Sequence, residues 1–175
     1  MPQVEFTKWV ACWGNATSIS DRKECTYAKD LTLRYPVRMC FSGSKLRFHF
    51  SNLTGTEAVN ISEAYVTCEN RNARENLNAP VVNENRNAHD ACENRGECGP
   101  TPITFGGNTS GSIPAGHEIL SDEIPFDVTA GDTIEISLYF ADYTQMNAGT
   151  LITGPISGGK FAYGNFAKSQ ELPAE

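Results

Sequence analysis

An all-β fold, an antiparallel β-sandwich or jelly roll, is predicted by three features of this sequence. Apolar residues take every second position in several short runs. The segments between the runs are rich in Gly, Pro, Asn and Asp, the residues that turns require. No window of a dozen residues carries a helical period. At 175 residues the chain suffices for one well-buried core and is short for two, so a single domain spanning 1–175 is expected.

The elements follow in order. In "WVACW", residues Trp9, Ala11 and Trp13 share one face of an expected strand, and rings of this size are expected in the core or against another domain. Exposed, they would stack on a sugar. In "LTLRYPVRMCF", Leu31, Leu33, Tyr35, Val37, Met39 and Phe41 point inward, with Thr32, Arg34, Arg38 and Cys40 on the outer face. Pro36 donates no ladder hydrogen bond, which places this strand at an edge or at a bulge. After a turn at "SGS", "KLRFHF" resumes the alternation, with Leu46, Phe48 and Phe50 inward and Lys45, Arg47 and His49 outward. The two runs are expected to form a β-hairpin. Further strands are expected in "EAVNI", "ITF", "EIPFDV" and, most clearly, "TIEISLYF", with turns in "FGGNTSGSIPAG" and "TAGD".

The stretch from Glu69 to Glu97 breaks the pattern. It holds eight Asn, six acids and four Arg, with only Leu77, Val81 and Val82 as sizeable apolar residues, too little to bury as a layer of the core. A long Asn-rich inserted loop over 69–98 is therefore expected. Its "ENRNA" and "ENLNA" phrases recur too closely and unevenly for a solenoid.

The net charge of −7 and a pI near 5.0 argue against binding the phosphate backbone of nucleic acid. No apolar run approaches the roughly 20 residues that span a bilayer, so no membrane segment is expected. The N-terminus lacks the pattern of a secretory leader and the chain is expected to be cytoplasmic; a removed leader would make it secreted. The six cysteines (Cys12, Cys25, Cys40, Cys68, Cys92, Cys98) are then mostly reduced structural thiols, with disulfide pairing the reading for an oxidising compartment. Sequons begin at Asn15, Asn52, Asn60 and Asn108 and matter only in a secretory pathway.

Candidate chemistry is sparse. Cys68, His89, Cys92 and Cys98 could ligate zinc, but only His89 and Cys92 have the close spacing of a structural site, so no metal is expected. His49 on an outer strand face, His117 in a turn and His89 in the loop are tied to no nucleophile. "GDT" within "AGDT", Gly131 to Thr133, has the look of a Gly-Asp-Ser turn, yet it precedes a β-alternating run and reads as a strand-to-strand turn. Arg34, Arg38, Lys45 and Arg47 would form a basic stripe on one side of the hairpin, either a solvated sheet face or an anionic contact. No catalytic residue and no cofactor is assigned, and ligand-binding residues stay unassigned.

"WVACWGNA", "LRFHFSNLTGTEAVNI", the ordered series "TFGG", "SIPAG" and "SDEIPFDVTAGD", and "LITGPISGGKFAYGNF" together resemble the N-terminal β-sandwich region of bacterial SGNH/GDSL-type hydrolases. The resemblance covers nearly all of the chain except Glu69 to about Gly99. It implies a catalytic α/β domain beyond this region, carrying a Gly-Asp-Ser nucleophile motif, Gly and Asn oxyanion donors and an Asp-x-x-His segment, none of which occurs here. It also implies that Cys12 and Cys40 are incidental thiols filling small apolar space, and that only a short connection stands where Cys68 to Cys98 lies. The function expected on this basis is a non-catalytic accessory domain of an SGNH-type esterase or carbohydrate deacetylase. It would pack against the hydrolase domain, in cis or separately encoded, and shape substrate access. The alternatives are a carbohydrate-binding module and a protein-recognition scaffold working through the 69–98 loop.

Overall fold

The computed structural model of the chain describes residues 8–14, 26–68, 99–146 and 158–173. The Asn-rich stretch 69–98, with His89, Cys92 and Cys98, lies outside them. All regular structure among the described residues is β, and no helix there is long and apolar enough to cross a membrane. In chain order the strands are β1 (Thr26–Ala28), β2 (Leu31–Arg38), β3 (Gly43–Leu46), β4 (His49–Ser51), β5 (Val59–Ile61) and β6 (Glu63–Cys68). After residues 69–98 come β7 (Thr101–Pro102), β8 (Gly111–Ile113), β9 (Glu118–Leu120), β10 (Ile124–Val128), β11 (Thr133–Phe140), β12 (Thr144–Met146) and β13 (Lys160–Tyr163).

Every pairing is antiparallel. Five strands form one sheet in the order β13-β2-β11-β6-β7, and the others pair as β1-β12, β10-β3, β4-β9 and β5-β8. Register across the five-stranded sheet aligns Leu33 with Leu138 and Leu138 with Ala64, and likewise Val37 with Ile134 and Ile134 with Cys68. One face of the sheet is thus continuously apolar. It joins Ile61, Ile103, Phe105, Ile113, Ile124, Phe126 and Val128 in a single core cluster, with Leu46, Phe48 and Phe50 packed at its margin. Each such side chain fully withdrawn from water stabilises the fold by about 1.5–3 kcal/mol. The all-β antiparallel expectation holds, in an arrangement consistent with a sandwich.

The expected hairpin does not form. β2 pairs with β11 and β13, whereas β3 pairs with β10, and Gly43 and Ser44 belong to β3 and not to a turn. Alternation specifies which face a strand buries but not which neighbour it takes, and here a long-range partner satisfies the ladder. Pro36 fits its strand for a related reason: β13 pairs β2 only over Leu31–Arg34, so Pro36 faces Glu135 of β11 and, among the described residues, no strand residue on its other side.

The outer face assigned to β2 is also only partly exposed. Thr32 and Arg34 are buried, while Arg38 and Cys40 face solvent. The C-terminal segment crosses over them. Gly164 turns it with φ 105° and donates its N–H to the Asp30 carbonyl, and Thr32 Oγ1 donates to Gly164 O at 2.6 Å and accepts from Phe166 N at 2.9 Å. β6 carries no alternation because Ala64, Tyr65, Val66 and Thr67 are all buried, so the run is covered on both faces. The turn expected at "TAGD" is present, closed by Asp132 N to Thr129 O at 2.9 Å, with Gly131 at φ 92°.

Candidate functional surface

The strands carry the candidate residues to separate places. His49 Nε2 lies 3.4 Å from Glu118 Oε2 on the exposed β4-β9 pair, and His117 Nδ1 lies 2.8 Å from Ala115 O within its own turn. Among the described residues no group of three His, Cys, Asp or Glu could hold a metal ion. A shallow, open depression of about 350 Å³ lies between β5 and β8, lined by Asn60, Ile61, Ser62, Ser110, Gly111 and Ser112. Its walls offer hydroxyls and an amide, with Ser112 Oγ already donating to Asn60 Oδ1 at 2.7 Å.

The predicted basic stripe is not a stripe. Arg34 is 2 % exposed, on the face covered by residues 164–170. It donates from Nε to Ser137 Oγ (2.9 Å), from Nη1 to Gln170 O (2.8 Å), and from Nη2 to Ser169 O (2.5 Å) and Phe166 O (3.2 Å). Glu135 Oε2 stands 3.7 Å from Nη1. Burial pulls this guanidinium below its ordinary value and Glu135 pushes it back, but it stays charged. Lys45 is paired with Glu123, and Arg47 lies over the Trp9 ring, 4.9 Å from its centroid.

The clearest surface features are aromatic. Trp9 and Trp13 are 53 % and 43 % exposed and belong to no strand, so the core expectation for them fails. The residue of this segment that does pack against the core is Cys12. Its Sγ accepts a hydrogen bond from Cys40 N at 3.1 Å, which pins the segment beside the end of β2, where Phe41 is exposed as well. Trp9, Val10, Trp13 and Phe41 are all exposed, and all lie on the two segments that this hydrogen bond joins.

A second aromatic corner forms where β1 meets β12. Tyr27 and Tyr143 meet edge to face with centroids 6.4 Å apart, Tyr27 Oη donates to Glu57 Oε1 at 3.2 Å, and Lys29 Nζ lies 4.7 Å from the Tyr143 centroid. Tyr143 remains 68 % exposed. On β13, Phe161 and Tyr163 make a second exposed edge-to-face pair at 6.1 Å. Neither "CTYAKD" nor "ADYTQM" carries a signal for the second corner, because the β1-β12 register that unites them joins residues more than a hundred positions apart.

One acidic group is strongly organised. Asp122 accepts from Gly107 N (2.7 Å), Thr104 Oγ1 (2.7 Å) and Gly106 N (3.1 Å). The Gly107 amide foremost, then the Thr104 hydroxyl, hold its carboxyl below the ordinary value of 3.8. These bonds clamp the "TFGG" turn, whose Gly106 and Gly107 both have positive φ.

Comparison with known protein families and with curated proteins finds no match.

Proposed function

We propose that this chain is a non-catalytic β-sandwich accessory domain of an SGNH-type esterase or carbohydrate deacetylase, and that it packs against the hydrolase domain through the Trp9-Val10-Trp13-Phe41 surface. The observation carrying this reading is the exposure of two tryptophans on a segment anchored by its own half-buried Cys12. Large aromatic residues held at a fixed place on a surface are the side chains that anchor interfaces. The ordered motifs of the sequence supply the identity of the partner.

Both tryptophans of the chain lie in this segment, so tryptophan emission reports this surface alone. Titration with an SGNH-type hydrolase domain is expected to shift the emission to the blue, and Trp13→Ala to weaken the complex by 10-fold or more. The purified chain is expected to hydrolyse p-nitrophenyl acetate no faster than a heat-denatured control. Unshifted emission at saturating hydrolase domain, or turnover abolished by replacing one Ser, Thr or Cys, rejects the proposal.

A second reading, carbohydrate binding, is favoured by the Tyr27-Tyr143 corner, where exposed rings adjoin the Glu57 carboxylate and the Lys29 ammonium. Rings offer stacking to a sugar face and the charged groups offer partners to its hydroxyls. Calorimetric titration with neutral and acidic oligosaccharides decides it: saturable binding lost in Tyr143→Ala supports the module, and no heat at millimolar ligand rejects it.

A further inference from the structure

The sequence treats Cys12 and Cys40 as unrelated thiols, yet the fold places the Cys12 sulfur 3.1 Å from the backbone nitrogen of Cys40 across a separation of 28 residues. With ordinary bond lengths this contact keeps the two α-carbons within about 7 Å, which overlaps the roughly 4.4–6.8 Å that a disulfide spans. The environments of the two sulfurs are complementary. Cys12 is half-buried and packed against the core, whereas Cys40 is exposed just past the end of β2. The backbone leading to Cys40 is itself fixed, since Met39 N donates to Asp132 O at 2.8 Å and Gly131 N donates to Met39 O at 2.7 Å.

We propose that Cys12 and Cys40 are a thiol-disulfide exchange site, oxidised by a low-molecular-weight disulfide of the glutathione class to a cross-link that fastens the 8–14 segment to the end of β2. The exposed Cys40 thiolate attacks a sulfur of oxidised glutathione, forming a mixed disulfide and releasing one glutathione thiolate. The Cys12 thiolate then attacks the Cys40 sulfur, forming the intramolecular bond and releasing the second glutathione. Two thiols have lost two protons and two electrons, and one oxidised glutathione has become two reduced molecules. The cross-link leaves Trp9 and Trp13 exposed and removes the freedom of their segment to leave the surface. The proposal rests on the Cys12-Cys40 contact and not on the identity of any docking partner.

The test is peptide mapping of the full chain after equilibration in mixed oxidised and reduced glutathione. Tryptic cleavage separates Cys12 in peptide 9–22, Cys40 in peptide 39–45 and Cys25 in peptide 24–29, so each pairing has its own mass. The expected product is the 9–22 peptide joined to 39–45, lost on adding dithiothreitol. Thermal unfolding of the oxidised protein is expected roughly 5–10 °C above that of the reduced form. Cys40→Ser and Cys12→Ser should each abolish the upward shift while keeping the β-sheet circular dichroism. Linkage of Cys12 to Cys25, linkage between chains, or Cys12 and Cys40 both remaining alkylatable under oxidised glutathione overturns the proposal. So does an unfolding midpoint that dithiothreitol leaves unchanged in the wild-type chain.

Discussion

Replacing Arg34 by alanine tests whether one buried cation holds the C-terminal segment on the sheet. The substitution removes four hydrogen bonds, to Ser137 Oγ and to the carbonyls of Phe166, Ser169 and Gln170, and leaves Glu135 without its cationic neighbour. Bonds to a charged donor contribute about 1.5–3 kcal/mol each, so the four taken singly suggest roughly 6–12 kcal/mol. That sum overstates the loss. Residues 164–170 can lift away and let water satisfy the three carbonyls, which limits the cost to about the 3–5 kcal/mol of breaking a buried charged pair. For a chain of this size such a loss lowers the thermal midpoint by on the order of 10 °C. Two assays read it: thermal unfolding by circular dichroism, and amide hydrogen exchange over 164–170. Exchange in that segment should rise before the sheet melts, because Phe166 N is held by Thr32 Oγ1 only while the segment lies down. Arg34→Lys should fall between wild type and alanine, keeping the charge without the planar fork that reaches three carbonyls. A midpoint within about 1 °C of wild type together with unchanged exchange would refute the idea that Arg34 latches the C-terminal segment to the sheet.

Asn52 is the first residue of a sequon, yet it is 6 % exposed, and its Nδ2 donates to the carbonyls of Glu57 (2.9 Å), Ile113 (3.0 Å) and Pro114 (3.2 Å). Expression in a glycosylating host should leave Asn52 unmodified in folded protein by intact-mass mapping, and Asn52→Ala should cost about 2–4 kcal/mol in denaturant titration. Gly55→Ala should destabilise by about 1–3 kcal/mol, since an added Cβ would stand 1.8 Å from Asn52 Oδ1. The depressed carboxyl of Asp122 makes its contribution fully present above the ordinary value of 3.8, and lost as pH falls through the lower folded value. Wild type should therefore lose stability relative to Asp122→Asn in unfolding midpoints measured between pH 5 and the acid limit, with the gap closing as pH falls; parallel profiles would contradict this.

The aromatic clusters and the latch show why the candidate surface was harder to read than the fold. Trp9 and Trp13 stand out in the sequence, but their size predicted burial, and the smaller Cys12 between them is what anchors the segment to the core. Arg34 looked solvated because alternation put it opposite Leu33. Nothing local announces that residues 164–170 will cover that face, since the bonds join positions more than 130 apart.

By itself the sequence determined the class, because a period of two along "EIPFDV" and "TIEISLYF" fixes which side chains face inward whatever the strand's neighbours: Ile124, Phe126, Val128, Ile134, Leu138 and Phe140 are all buried. Ile136, inward by the same period, is only partly buried, at the margin of that core. The sequence also placed the "TAGD" turn, where Gly131 supplies a positive φ. Tertiary structure alone decided the pairing of β2 with β11 and β13, the burial of Arg34, the meeting of Tyr27 with Tyr143 and the approach of Cys12 to Cys40. Each of these is a contact between distant segments, and ladder hydrogen bonds carry no residue identity by which a strand could name its partner in advance.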